Sequence, residues 1–190
     1  MSDPVSTLDR AAAADGQTIR IEDRGPLGQV TLRGDLNSPA LQAAVTAGTG
    51  VGVPEPLMAA FDEDTGAVWM STDELLLFTE YTQADALVAA LGKALAGEHH
   101  MAVNVSDTRA VIALSGPGVA EVLAKGAPLD LSVAAFPAGT ARRTHLGGVA
   151  VGFWRKAEHE WEIVCFRSFA RHLFDWLVET SKVGSEVGDL

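Results

Sequence analysis

Two stretches alternate apolar and polar positions with the same punctuation. In "VWMSTDELLLFT" (68–79) and "GFWRKAEHEWEIVCF" (152–166), Trp ends one apolar run, a polar turn follows, and a second apolar run returns. Both predict β-hairpins. A helix is expected after each. Thr82 with Asp85 three residues on is a capping-type start, and Ser168 can cap the second. Leu87 and Leu91 line one face of the first helix. Phe169, Leu173, Trp176 and Leu177 line the second, with Arg171 and Asp175 as an outward i, i+4 pair.

Upstream of each hairpin lies a shorter helical pattern. Pro39 and Gly48 bracket the stripe Leu41, Ala44 and Val45; Pro117 and Gly126 bracket Val119, Val122 and Leu123 at the same separation. Each follows a strand candidate, Gln29 to Arg33 and Ala110 to Ser115. The order strand, helix, hairpin, helix therefore occurs twice. This predicts an α+β protein of two fused ferredoxin-like (split βαβ) units, residues 18–98 and 99–182, packed together because each alone buries little apolar surface. Residues 1–17 lack periodicity and are expected to form a mobile arm or a partner-binding tail, and residues 183–190 a similar tail.

Composition narrows the function classes. Of 190 residues, 47% are hydrophobic and 21% charged, ordinary for a folded chain. The net charge of -11, from 25 acids against 14 bases, disfavours nucleic acid as a partner, since a phosphate backbone is tracked by clustered Lys and Arg. The apolar run around residues 40–61 is broken by Gly48, Gly50, Gly52, Pro54 and Pro56, so no membrane span is expected. The N-terminal stretch carries Asp3 and Asp9 where a secretory leader is basic. One cysteine, Cys165, leaves no internal disulfide or multi-cysteine metal site. Cytoplasmic surroundings fit these features.

The candidates for chemistry are few. "SGPGVAEV" (115–122) is a strand-to-helix turn, but it lacks the third glycine of a dinucleotide loop and the Lys-Ser/Thr pair of a P-loop. Cys165 alternates onto a face with Trp161 and Ile163, which predicts a buried, inert thiol. His99 and His100 are adjacent and have no metal-binding companions in sequence. Asp62 to Asp64 lack the spacing of a calcium loop. The dense basic cluster Arg142, Arg143 and His145, with Arg155 and Lys156 at the following turn, suits an acidic partner or a carboxylate; the alternative is a solvated strand. No catalytic, cofactor-binding or metal-binding residue is predicted in the chain.

Taken in order, "LSGPGVAEVLAKGAPLDL", "FPAGT", "VGFWRKAEHEWEIVCFRSF" and "ARHLFDWL", with "VWMSTDELLLF" before them, resemble the gamma-subunit family of bacterial heterotetrameric sarcosine oxidases over about residues 65–180. The resemblance implies a fold similar to the folate-binding domain of aminomethyltransferase-type proteins. It also implies a four-subunit oxidoreductase complex that demethylates sarcosine to glycine, reduces oxygen to hydrogen peroxide, and delivers the one-carbon unit to tetrahydrofolate or releases it as formaldehyde. Alpha and beta subunits would carry FAD, FMN and NAD, a delta subunit zinc, and the gamma chain no cofactor. Ala127 stands where family members often have Cys, and Asn104, Val105 and Ser106 where they have an Asp-Val-Ser type segment. The rival expectation is a free-standing folate-binding protein that supports iron–sulfur enzymes; of its K-G-C-Y-x-G-Q signature, "AKGAPLD" shares only Lys-Gly.

Overall fold

The computed structural model describes residues 5–187. The chain divides into two units: one spans residues 27–106, and the other joins residues 5–26 to residues 107–187.

In the first unit, Gly28–Arg33 (β3) leads into the helix Pro39–Thr49 (α1). Ser38 caps this helix with its side chain, accepting the Leu41 N–H at 3.4 Å, and Pro39 occupies a first-turn position where a missing N–H removes nothing. The helix runs through Gly48 and stops at Gly50, whose φ of 76° supplies the left-handed C-cap. Ala59–Asp62 (β4), Thr65–Ser71 (β5) and Glu74–Thr79 (β6) follow, then Ala84–Ala94 (α2) and Met101–Asn104 (β7). The sheet order is β4-β5-β6-β3-β7, antiparallel throughout. Leu41, Ala44 and Val45 of α1 and Leu87 and Leu91 of α2 pack with Val30, Leu32, Leu75 and Leu77 in one core, as the apolar stripes predict.

The other unit repeats this plan. Arg109–Ser115 (β8) is followed by Val119–Ala124 (α3), Ala141–Leu146 (β9), Val149–Ala157 (β10), Glu160–Phe166 (β11) and Ala170–Thr180 (α4). Its sheet also contains Ala12–Ala13 (β1) and Arg20–Asp23 (β2), in the order β1-β2-β8-β11-β10-β9. Trp161, Ile163 and Cys165 of β11 join Val119, Val122, Leu123, Leu173 and Leu177 in its core. Phe136 stacks on Trp161 at a centroid distance of 4.9 Å, a pairing worth about 1 kcal/mol beyond area burial.

The strand order locates the fourth strand of each split βαβ motif. In the first unit it is β7, which pairs with β3 after α2. In the other it is β2, contributed from the N-terminal side and antiparallel to β8. Both strands are four residues long. The segment from 18 to 26, expected in the first unit, therefore lies in the second.

The described part of the expected N-terminal arm is also built into that sheet. Ala12 and Ala13 pair with Glu22 and Ile21, Leu8 is only 1% exposed within the core, and the Thr18 N–H donates to the Ser181 carbonyl at 2.7 Å. A two-residue strand pairing and long-range backbone bonds organise this stretch, which is why periodicity does not reveal it. Residues 1–4 of the expected arm lie outside the described residues. The expected tail docks through residue 187: the Val183 N–H reaches the Gly16 carbonyl at 3.0 Å, and Lys125 Nζ donates to Thr180 O and Ser185 O at 2.8 and 2.7 Å. Residues 188–190 lie outside the described residues.

Three local expectations are corrected. Neither Thr82 nor Ser168 caps a helix with its side chain. α2 and α4 each begin instead from an extended residue, Glu80 or Phe166, followed by a 3-10 turn, Tyr81–Gln83 or Arg167–Phe169. Phe169 falls on that turn and is 48% exposed, while Phe174 takes the buried position. The second short helix begins at Val119, two residues after Pro117. Arg171 and Asp175 form the outward pair as read, at 3.6 Å.

Candidate functional site

The glycine turn between β8 and α3 is a structural joint. Gly116 has φ 123°, a backbone conformation that side chains rarely adopt, and its N–H donates to the His159 carbonyl at 2.9 Å. That donor is turned to the β10–β11 turn. The α3 helix behind it is six residues long, and Gly118 at its N-cap offers no side-chain ligand.

The basic cluster lies on β9, at the edge of the six-stranded sheet. Strand alternation separates its members. Arg142 is opposite Phe153 on the core side, and its guanidinium sits 5.5 Å from the Phe136 ring centroid. Arg143 and His145 are opposite Gly152 and Ala150 on the other face, and both are exposed. Arg143 and His145 are thus presented together, and Arg142 apart from them.

Two buried charges lie on neighbouring positions of the same hairpin. Glu162, 6% exposed, accepts the Trp154 indole N–H at 3.1 Å and meets Arg24 Nε at 3.1 Å and Lys156 Nζ at 3.7 Å. Arg155, 4% exposed, stacks 5.2 Å above the Trp161 ring. Its guanidinium donates from Nη1 to Phe136 O at 2.9 Å, from Nε to Glu158 O at 3.1 Å and Ala157 O at 3.3 Å, and from Nη2 to Glu158 O. Arg155 thereby ties the loop before β9 to the hairpin turn. A cleft of about 380 Å³ opens beside it, walled by Pro117, Ala120, Leu131, Val133 and Trp161. Sequence reading counts Arg155 in the basic cluster suited to an acidic partner or a carboxylate, but it does not show the cleft, because the walls come from separate segments that no local spacing connects.

A second cleft, about 430 Å³, lies along Arg10 to Ala12 and Glu22 to Pro26. Its acids already have partners: Asp23 accepts from the Arg10 and Gly25 N–H groups at 3.0 Å each and from the Ser6 hydroxyl. The hydrogen bond from Arg20 holds the Glu22 carboxyl below its usual range.

The remaining candidates are scattered. Cys165 is buried, and burial pushes its thiol up to about 11, away from the ionised form a nucleophile needs. His100 Nδ1 lies 3.0 Å from the Glu98 carbonyl. Asp62 to Asp64 form the exposed β4–β5 turn. Among the described residues no three His, Cys, Asp or Glu side chains are grouped to hold a metal ion, and no helix is long and apolar enough to cross a membrane.

These observations define a class of α+β scaffold. It consists of two successive split βαβ units, with the buried charges Arg155 and Glu162 of one unit tied into its hairpin and neighbouring loops. Aminomethyltransferase T of the Bartonella henselae glycine cleavage system shares the fold, with a TM-score of 0.60 and 18% identity over 82% of this chain and 44% of that one. The chain belongs to the sarcosine oxidase gamma subunit family, whose pattern matches residues 33–183. Sarcosine oxidase subunit gamma of Corynebacterium sp. strain U-96 is 32% identical over 92% of this chain and 84% of its own length. A chain of the heterotetrameric sarcosine oxidase from Corynebacterium sp. U-96, solved with pyrrole 2-carboxylate, superposes with a TM-score of 0.80 and 31% identity, covering 94% of this chain and 91% of that one.

Proposed function

We propose that this chain is the docking gamma subunit of a cytoplasmic, heterotetrameric sarcosine oxidase, and that it contributes an architectural surface while its companions carry the chemistry. One observation carries the reading: the likeness to gamma subunits extends over 92% of the chain, in sequence and fold together.

The reaction of the assembly removes two electrons from the N-methyl group of sarcosine. The resulting iminium carbon is passed to tetrahydrofolate or hydrated to formaldehyde, glycine is released, and the electrons convert oxygen to hydrogen peroxide. FAD, FMN and NAD are assigned to alpha and beta subunits, and zinc to a delta subunit. Two observations among the described residues support placing them there: the Gly116 N–H is committed to His159, and the Cys165 thiol is buried with a raised pKa. Arg142, Arg143 and His145 are the proposed partner contact, with Arg143 and His145 acting together on the exposed face of β9.

The test is co-purification. A tagged copy of this chain, expressed in its native host, is expected to bring down three companions with sarcosine-dependent peroxide formation. Recovery of the chain alone, soluble and binding tetrahydrofolate at micromolar concentration by calorimetry, would favour the free-standing folate-binding rival instead.

A further inference from the structure

We propose that the cleft beside Arg155 is a binding site for a small apolar monocarboxylate. The inference is independent of the subunit role and rests on the geometry of one unit.

Arg155 is 4% exposed and makes no ion pair with a carboxylate among the described residues; its four hydrogen bonds all go to backbone carbonyls. The carbonyl dipoles satisfy N–H groups and the Trp161 ring faces the cation, but none of these partners carries a net negative charge, so the cation has no counter-charge at contact distance in a low-dielectric setting. The contrast lies one residue on, where Lys156 meets the buried Glu162. Nη1 and Nη2 each donate one bond, which leaves one N–H on each terminal nitrogen without an acceptor among the described residues. Two N–H groups on a planar fork match the two oxygens of a carboxylate.

The walls select the rest of the ligand. Trp161, Leu131, Pro117 and Ala120 are apolar, and Val133 is 64% exposed at the rim. The cleft volume of about 380 Å³ is in the range of small-ligand sites and admits a ring-sized acid. Three titratable groups also border it. Glu158 is exposed and faces His159 at 3.9 Å, and Glu121 accepts the Val187 N–H. The two carboxylates repel an anion in proportion to its charge, so this mouth disfavours multiply charged anions relative to a single carboxylate on an apolar body.

The experiment uses the full chain, within its assembly where it is purified so, with only this chain's tryptophan indoles labelled with nitrogen-15. Benzoate is titrated against benzamide, which has the same shape without the charge. Trp161→Phe assigns the Trp161 signal. The expected result is a saturable shift of that signal with benzoate, an affinity at least tenfold weaker for benzamide, and at least a tenfold loss in Ala120→Phe, which fills the cleft and leaves the Arg155 bonds in place. Equal responses to benzoate and benzamide, no saturable shift, or an unchanged response in Ala120→Phe would each overturn the proposal.

Discussion

Replacing Gly126 with alanine probes a close contact between a glycine and the indole of Trp176. A Cβ on Gly126 would lie 2.6 Å from Cζ2 and 2.7 Å from Cη2 of Trp176, and 2.8 Å from the backbone nitrogen of Gly147. Gly126 does not adopt a positive φ, so the cost is steric. The indole also runs close to the backbone at Gly147, where an added Cβ would lie 2.9 Å from Trp176. Overpacking typically costs about 1–3 kcal/mol, and a site blocked by backbone on one side and a ring on the other belongs in the upper half, about 2–3 kcal/mol. At roughly 2–4 °C per kcal/mol for a chain of this length, Tm should fall by about 4–12 °C. Thermal and urea unfolding followed by fluorescence and circular dichroism measure it; if the units unfold separately, only the transition of the unit holding Trp176 should move. Trp176→Leu in the same background removes the clash, so a double-mutant cycle should show a coupling of at least about 1 kcal/mol. A Gly126→Ala protein within about 0.5 kcal/mol of the parent, or strict additivity in the cycle, would refute the reasoning.

Other perturbations follow from the same geometry. Glu162→Ala leaves Arg24 and Lys156 facing an apolar gap; since both cations are partly solvated, the loss should be about 2–4 kcal/mol by urea denaturation, with Glu162→Gln milder because the amide can still accept the Trp154 N–H. Cys165, with its pKa raised from 9.0 to about 11, should resist Ellman's reagent at pH 8 until the chain unfolds. Because the folded state holds that proton more tightly, the thiol's contribution is fully present below pH 9 and is lost as pH rises towards 11, by about 2 kcal/mol in urea midpoints across that window. Arg143→Glu with His145→Glu, both at exposed positions, should change stability by no more than about 0.5 kcal/mol yet reduce recovery of companion subunits in pull-downs.

Hairpins and helix stripes were legible because each encodes its partner within a few residues. Trp69 and Trp154 mark strands that return at once, and Leu41, Ala44 and Val45 repeat at helical spacing. The fourth strands were not legible. β7 has four residues with little burial, and β2 pairs with β8, whose residues are more than eighty positions away. The N-terminal segment is not legible either: Ala12 and Ala13 carry no periodic signal, and pairing with Glu22 and Ile21 together with Leu8 in the core orders them. The basic cluster was visible as composition, but alternation on an edge strand divides Arg142 from Arg143 and His145. The cleft at Arg155 was invisible, since its walls at Pro117, Leu131 and Trp161 converge only in three dimensions. The resemblance identified the family because it used the order of whole segments, which survives where single motifs carry no chemistry.

The central claim is that this chain docks and its companions react. Sarcosine-dependent oxygen consumption, measured with the purified chain alone and with the co-expressed assembly at equal chain concentration, tests it most directly. The account predicts no consumption above buffer for the lone chain and full turnover for the assembly; oxidation of sarcosine by the lone chain would contradict it.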